Sequence, residues 1–177
     1  MQRWRVPLGF LCGPLFIWFA RPNSLTLAIG GGVALLGLAL RAWSAGHIRK
    51  NAALATSGPY AYTRNPLYLG SFLLGVGFTI ASGQPLLAIP FAVLFLGIYY
   101  PVMRVEAADL AELFGEDYEF YARAVPLFFP RLVPYRDEKT QGVKFDASLY
   151  TRYREYRAAL GLLIAWGLLA LKALLIK

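Results

Sequence analysis

One cysteine, Cys12, and one histidine, His47, are all that 177 residues contain of either type. A lone cysteine cannot close an internal disulfide, and one Cys with one His cannot complete a closed four-ligand zinc site, so no metal site is expected. Cys12 sits in an apolar run, where a thiol behaves as a small hydrophobe. Acidic residues are also scarce, 10 Asp and Glu against 18 Lys and Arg, for a formal charge of +8. The glycine-rich fingerprint of soluble nucleotide-binding domains is absent. So is any internal repeat, which removes the sequence signature of an inverted-repeat transporter.

What is abundant is apolar: 58% of residues are hydrophobic, against roughly 45–50% in soluble domains. Such an excess requires a second apolar solvent. Five apolar runs stand out, Val6–Ala20, Leu25–Trp43, Leu67–Ser82, Pro85–Met103 and Ala158–Ile176. A helix of about 20 residues crosses the hydrocarbon core, so the second, fourth and fifth runs suffice alone, and the first and third must borrow flanking residues. The expectation is a single all-α integral membrane domain, 1–177, of about five transmembrane helices. The first run follows Arg3 and Arg5 as a signal peptide would, but Arg21-Pro22-Asn23 is a poor cleavage site and the run is expected to be retained.

The basic residues flank the runs, which points to lipid headgroups and topology rather than to nucleic acid. Arg3, Arg5, Arg41, Arg49, Lys50, Arg64 and the nine from Arg104 to Arg157 fall on one side, 15 of 18 in all. Arg21, Lys172 and Lys177 fall on the other. With five spans this places the N-terminus in the cytoplasm and the C-terminus outside. Trp4, Trp18 and Trp43 lie near span ends, as interfacial anchors do. Gly30, Gly31, Gly32 and Gly37 in the second run, and Gly70, Ser71, Gly75 and Gly77 in the third, suit close helix packing, with Ser71 and Gly75 at small-xxx-small spacing. Pro90 is expected to bend the fourth span.

Two polar segments on the cytoplasmic side, 44–66 and 104–157, hold the residues able to carry chemistry. Ser57 to Gly70 reads SGPYAYTRNPLYLG, at the entry to the third span. Its prolines and glycines fix an irregular backbone, which at membrane depth is tolerated where it lines a cavity or is buried in protein. Tyr60, Tyr62 and Tyr68 offer rings and hydroxyls, and Arg64 a planar fork for a carboxylate or phosphate. Tyrosine and arginine also populate ordinary membrane boundaries. The second segment begins with Glu106, about one turn beyond the fourth span, where a carboxylate must be wet, paired or functional. A local partner, Arg104 or Arg123, is the plain alternative. Leu110, Leu113 and Phe114 follow at helical spacing, with Gly115 as a terminating cap. His47, just after the second span, is open to three roles: base, ligand contact or interfacial side chain. Tyr135–Arg157, with tyrosines and arginines alternating from Tyr150, reads as an interfacial segment.

Together the two segments resemble the isoprenylcysteine carboxyl methyltransferases and phospholipid N-methyltransferases of membranes. Gly58 to Gly70 follows that family's Gly-Pro-Tyr, Arg-Asn-Pro, Tyr and Gly pattern throughout. Glu106, Leu110, Phe114, Gly115, Tyr118 and Tyr121 follow its second pattern, with Ala107 where the family has a second glutamate. The resemblance implies S-adenosylmethionine as methyl donor and a lipid or lipidated acceptor, with loops and a short amphipathic helix forming the cofactor site. It implies cofactor contacts from Gly58, Tyr60, Tyr62, Arg64, Asn65, Pro66, Tyr68, Gly70, Glu106, Tyr118 and Tyr121, with Arg64 and Glu106 as catalytic residues. Carboxylate, amine and thiol acceptors all stay open. So does a non-enzymatic membrane protein whose loops bind headgroups or a partner.

Overall fold

The computed structural model describes residues 13–14, 16–49, 53–136 and 143–175. Cys12, Trp4, Lys50 and most of the expected first span lie outside them. Among the described residues every regular element is helical: α1 (Ser24–Ala45), a 3-10 turn (Gly58–Ala61), α2 (Pro66–Ala81), α3 (Ala88–Leu94), α4 (Tyr100–Phe114), α5 (Glu116–Ala124), α6 (Ala147–Arg152) and α7 (Tyr156–Leu175). A 3-10 turn (Pro85–Leu87) precedes α3, and a π-helical stretch (Phe95–Tyr99) joins α3 to α4. Residues 16–19 are also helical.

Three of these helices are long and apolar enough to cross a membrane: Ser24–Ala45, the composite Pro85–Phe114, and Tyr156–Leu175. The protein is therefore read as an integral membrane protein. Helix α2 is apolar but has 16 residues, about 24 Å at the α-helical rise. Exposed Leu25, Ile29, Leu35, Leu36, Leu163 and Leu174 line the outer faces of α1 and α7, as lipid-facing helices require.

Helix α1 opens on a reciprocal cap. The Asn23 side chain accepts from Thr26 N (2.9 Å), and the Thr26 hydroxyl accepts from Asn23 N (3.0 Å). From there α1 runs against α2 along a seam of small residues. A Cβ on Gly37 would lie 2.6 Å from the Gly70 carbonyl oxygen, and one on Gly77 2.6 Å from that of Gly30. Backbone thus meets backbone, the arrangement that gives close van der Waals packing where lipid offers no hydrophobic force between helices. The expected Ser71–Gly75 pair is not this seam. Gly75 accommodates the Phe91 ring, and the Ser71 hydroxyl accepts from Arg41 Nη1 at 2.6 Å. At the opposite end Lys172 Nζ donates to the carbonyls of Ile17 (2.7 Å) and Trp18 (2.6 Å), tying α7 to the helical turn at 16–19.

Within the fourth span the backbone leaves α geometry at Phe95–Tyr99, immediately before Tyr100 and Pro101. Pro101 has no N–H to donate to the preceding turn, so the ladder rearranges ahead of it. The helix also does not stop at Met103: α4 continues to Phe114 and carries Glu106 on a rigid extension of the span. Gly115 then ends it as expected, at φ +53°. The separate short helix is α5, whose Tyr118 and Tyr121 pack with Leu110 and Phe114; Leu113 faces outward.

Candidate active site

The loop Gly58–Asn65 has few backbone bonds of its own, and its polar groups find partners on the segment after α5. Arg64 N donates to Pro126 O (3.0 Å), Arg131 N to Tyr62 O (2.9 Å), and Tyr135 N to Ala61 O (2.8 Å). Thr63 Oγ1 donates to Phe128 O (2.8 Å), Asn65 Nδ2 to Leu127 O (2.9 Å), and the Tyr121 hydroxyl to Tyr60 O (2.7 Å). Asn65 has φ −127° and ψ 57°, outside the helical region that a following proline disfavours. The two segments singled out in the sequence are therefore one folded unit.

His47 braces this unit from behind. Its ring is buried against Gly58, where a Cβ would lie 2.6 Å from Cδ2, and Gly58 at φ +58° needs the freedom only glycine has. Its Nδ1 is 3.0 Å from the Trp43 carbonyl, which can only accept, so Nδ1 carries the proton. The Phe145 ring packs on its other side. His47 is thus a buried bracket, neither an interfacial side chain nor part of the cavity wall.

In front of the loop lies a cavity of about 880 Å³, within the ~300–1,000 Å³ of small-molecule sites. Of the sequence-predicted residues, Tyr60, Arg64, Asn65, Tyr68, Glu106, Tyr118 and Tyr121 line it. Gly58, Tyr62, Pro66 and Gly70 do not: Gly58 and Tyr62 shape the loop, Pro66 starts α2, and Gly70 belongs to the α1–α2 seam. Tyr68 donates its hydroxyl to Glu106 Oε1 at 2.7 Å. Neither Arg104 nor Arg123 holds Glu106; Arg123 pairs instead with Glu119 at 3.4 Å in solvent. Among the described residues Glu106 has no cationic partner, so its charge faces the cavity uncompensated.

Arg64 reaches the Tyr118 hydroxyl through Nη1 at 3.0 Å, with its guanidinium carbon 5.9 Å from that ring's centroid. Its Nε is buried with no acceptor among the described residues, as is the Tyr60 hydroxyl. Burial pushes the Tyr60 hydroxyl far above the ordinary tyrosine range, reinforced by Tyr121, and burial likewise raises Tyr121 against the opposing pull of Arg64. Both phenols therefore stay protonated donors at neutral pH.

Sequence reasoning missed the other wall. Arg41, near the end of α1, binds Glu155 through Nε (3.0 Å) and Nη2 (2.7 Å), and Nη1 reaches Ser71. This pair joins α1 and α2 to the entry of α7 and lines the cavity with Tyr99 and Asp109. A signal existed: Arg41 lies inside an apolar run, and an ionisable residue there is a site candidate by default. It is counted with the topology charges although the run Leu25–Trp43 contains it.

Comparison with known proteins bears directly on this arrangement. A family model described as phospholipid methyltransferase matches residues 25–117. The chain is 40% identical over 150 residues to the cobalt-zinc-cadmium resistance protein CzcN of Cupriavidus metallidurans, covering 77% of this chain and 66% of that protein. It is 39% identical over 114 residues to the nickel-cobalt-cadmium resistance protein NccN of Alcaligenes xylosoxydans xylosoxydans, covering 61% and 53%. It is 33% identical over 85 residues to the protein-S-isoprenylcysteine O-methyltransferase of Schizosaccharomyces pombe, covering 48% and 36%. The chain thus spans part of the length of each. No solved structure matches. The matched region runs from the first turn of α1 to the second residue of α5 and holds most of the cavity lining, though not Tyr118, Tyr121 or Glu155; over more than half its length, the chain belongs to the phospholipid methyltransferase family.

Proposed function

We propose that this protein is a membrane methyltransferase that uses S-adenosylmethionine and acts on a lipid or lipidated acceptor at the cytoplasmic face. The observation that carries the reading is the meeting, in one cavity, of a carboxylate with no cationic partner and a buried guanidinium with no acceptor on Nε, both among the described residues. A ligand with both a cationic and a carboxylate group answers both. The donor has a sulfonium, an ammonium and a carboxylate, and its adenine suits a wall of tyrosines. Glu106 and Asp109 are assigned to its cationic groups, Arg64 to a carboxylate, and Tyr60, Tyr118 and Tyr121 to the rings and donors around it. When bound, it supplies an electrophilic methyl group.

The residues then have two tasks. Tyr68 orients Glu106 through a 2.7 Å bond, and the loop's bonds to 126–135 fix Arg64. Both actions hold the reacting partners in line, and alignment supplies much of the acceleration in such a displacement. An acceptor carboxylate arrives as a nucleophile without a base. An acceptor amine must arrive neutral or give up a proton, for which Glu106 and Asp109 are the carboxylates at hand. The finer topology belongs to the same reading: a single domain of five spans, counting α2 and a first span that ends at 16–20, with the N-terminus cytoplasmic and the C-terminus external, as the 15-to-3 basic asymmetry demands. Calorimetry of purified protein with S-adenosylmethionine tests it. Saturable binding abolished by Arg64→Ala is expected, and absence of binding returns the loops to a headgroup- or partner-binding role.

A further inference from the structure

The segment Phe128–Pro134 follows α5 and reads FFPRLVP. Its backbone holds Tyr62, through Arg131 N, and Thr63, through Phe128 O, yet its outer side chains are apolar and bare: Leu132 is 97% exposed, Phe129 74% and Val133 64%. Three adjacent large apolar side chains at such exposure are not explained by the fold. The inner side of the segment gives its position. The Phe128 ring packs edge-on against Phe72 (5.6 Å between centroids) and at a tilt against Phe95 (5.4 Å). Phe72 lies six residues into α2, about 9 Å along the axis from Pro66, and Phe95 belongs to the apolar span Pro85–Phe114. A segment touching both at that depth runs at or just inside the boundary between headgroups and acyl chains, not above it. Its charges agree: from Phe128 to Arg136 there are two arginines, Arg131 and Arg136, and no acidic residue, a composition suited to anionic headgroups. Pro130 and Pro134 remove two backbone donors that lipid could not satisfy.

We propose that Phe128–Pro134 is a membrane-inserted flap, with Phe129, Leu132 and Val133 seated among the upper acyl segments of the cytoplasmic leaflet. Because the same backbone holds Tyr62 and Thr63, the residues directly before Arg64 and Asn65, contact with lipid fixes the wall of the cavity. The bilayer thereby becomes part of the site's scaffold. This last consequence rests on the methyltransferase reading; the insertion itself does not.

The test uses Leu132→Cys in a Cys12→Ser background, labelled with an environment-sensitive fluorophore and reconstituted in phosphatidylcholine–phosphatidylglycerol vesicles. Glu119→Cys serves as the aqueous reference. Expected are blue-shifted emission at 132, quenching by lipids nitroxide-labelled high on the acyl chain, and little quenching by iodide. Iodide quenching equal to that at 119 overturns the proposal in favour of solvent exposure. Protection from both quenchers overturns it in favour of burial against another copy. Phe129→Glu with Val133→Glu, introduced into the protein labelled at Leu132→Cys, then separates the two layers. Loss of lipid quenching is expected, with at least tenfold lower turnover of a bilayer-resident acceptor. Lipid quenching at 132 in a protein that binds no donor leaves the flap standing and refutes only the enzyme.

Discussion

Replacing Glu106 by Gln probes the cavity's electrostatics with the least disturbance to its shape. The side chain keeps its volume and still offers an oxygen to the Tyr68 hydroxyl, so the 2.7 Å bond survives. What disappears is a negative charge that no cation compensates among the described residues. A hydrogen bond to a charged group contributes about 1.5–3 kcal/mol, so donor affinity should fall about 10- to 150-fold. Stability should hold or rise, because an unpaired charge on a half-buried side chain is removed. Titration calorimetry in detergent measures this, and running it with both S-adenosylmethionine and S-adenosylhomocysteine locates the charge. The second ligand lacks the sulfonium but keeps the ammonium. A loss confined to the first ligand places Glu106 beside sulfur, and an equal loss for both places it beside the amine. Tyr68→Phe should weaken binding by a smaller factor, about fivefold, because it frees the carboxylate's orientation without removing its charge. Unchanged affinity for both ligands in Glu106→Gln would refute the assignment.

Arg64→Lys keeps the charge but loses the planar fork and the Tyr118 contact; turnover should drop severely with expression intact, and normal turnover would remove Arg64 from the site. Loss of donor affinity in that variant assigns the guanidinium to the donor, and retained affinity assigns it to the acceptor. Tyr60→Phe removes a buried hydroxyl that has no partner among the described residues and should raise the thermal stability of the ligand-free protein by about 1 kcal/mol; a lower melting temperature would mean that the hydroxyl is satisfied. Gly77→Val pushes a side chain into the Gly30 carbonyl and the Ala34 backbone and should cost about 1–3 kcal/mol, whereas Gly161→Ala, in open space, should not lower the melting temperature. Tyr60 and Tyr121 have folded-state pKa values raised above the usual 10.0. Their contribution to stability is complete below pH 10 and lost as pH rises beyond it; a melting temperature falling already between pH about 7 and about 9 would have another cause.

The spans were legible because an apolar solvent writes its thickness into the sequence, and α1 and α7 differ from the apolar runs by a few residues at most. The loop carrying Arg64 was legible because Pro and Gly restrict backbone regardless of context. The wall made by Arg41 and Glu155 was not, since the two are 114 positions apart and meet only when α7 docks. The Gly30–Gly77 and Gly37–Gly70 register was equally hidden: small-residue spacing marks a capacity for close approach on several faces, and the partner helix selects one. The continuation of α4 past Met103 escaped because the apolar run ends there, so the helical spacing at Leu110–Phe114 reads as a separate short helix.

The account stands on methyl transfer in this cavity, and one experiment addresses it directly. Membranes containing the protein are incubated with S-adenosylmethionine labelled at the methyl group, and the product is extracted and identified. Label in a lipid or lipidated product, dependent on the protein and lost in Glu106→Gln and Arg64→Lys, is the predicted result. Intact, folded protein that transfers no label and binds no donor would contradict it.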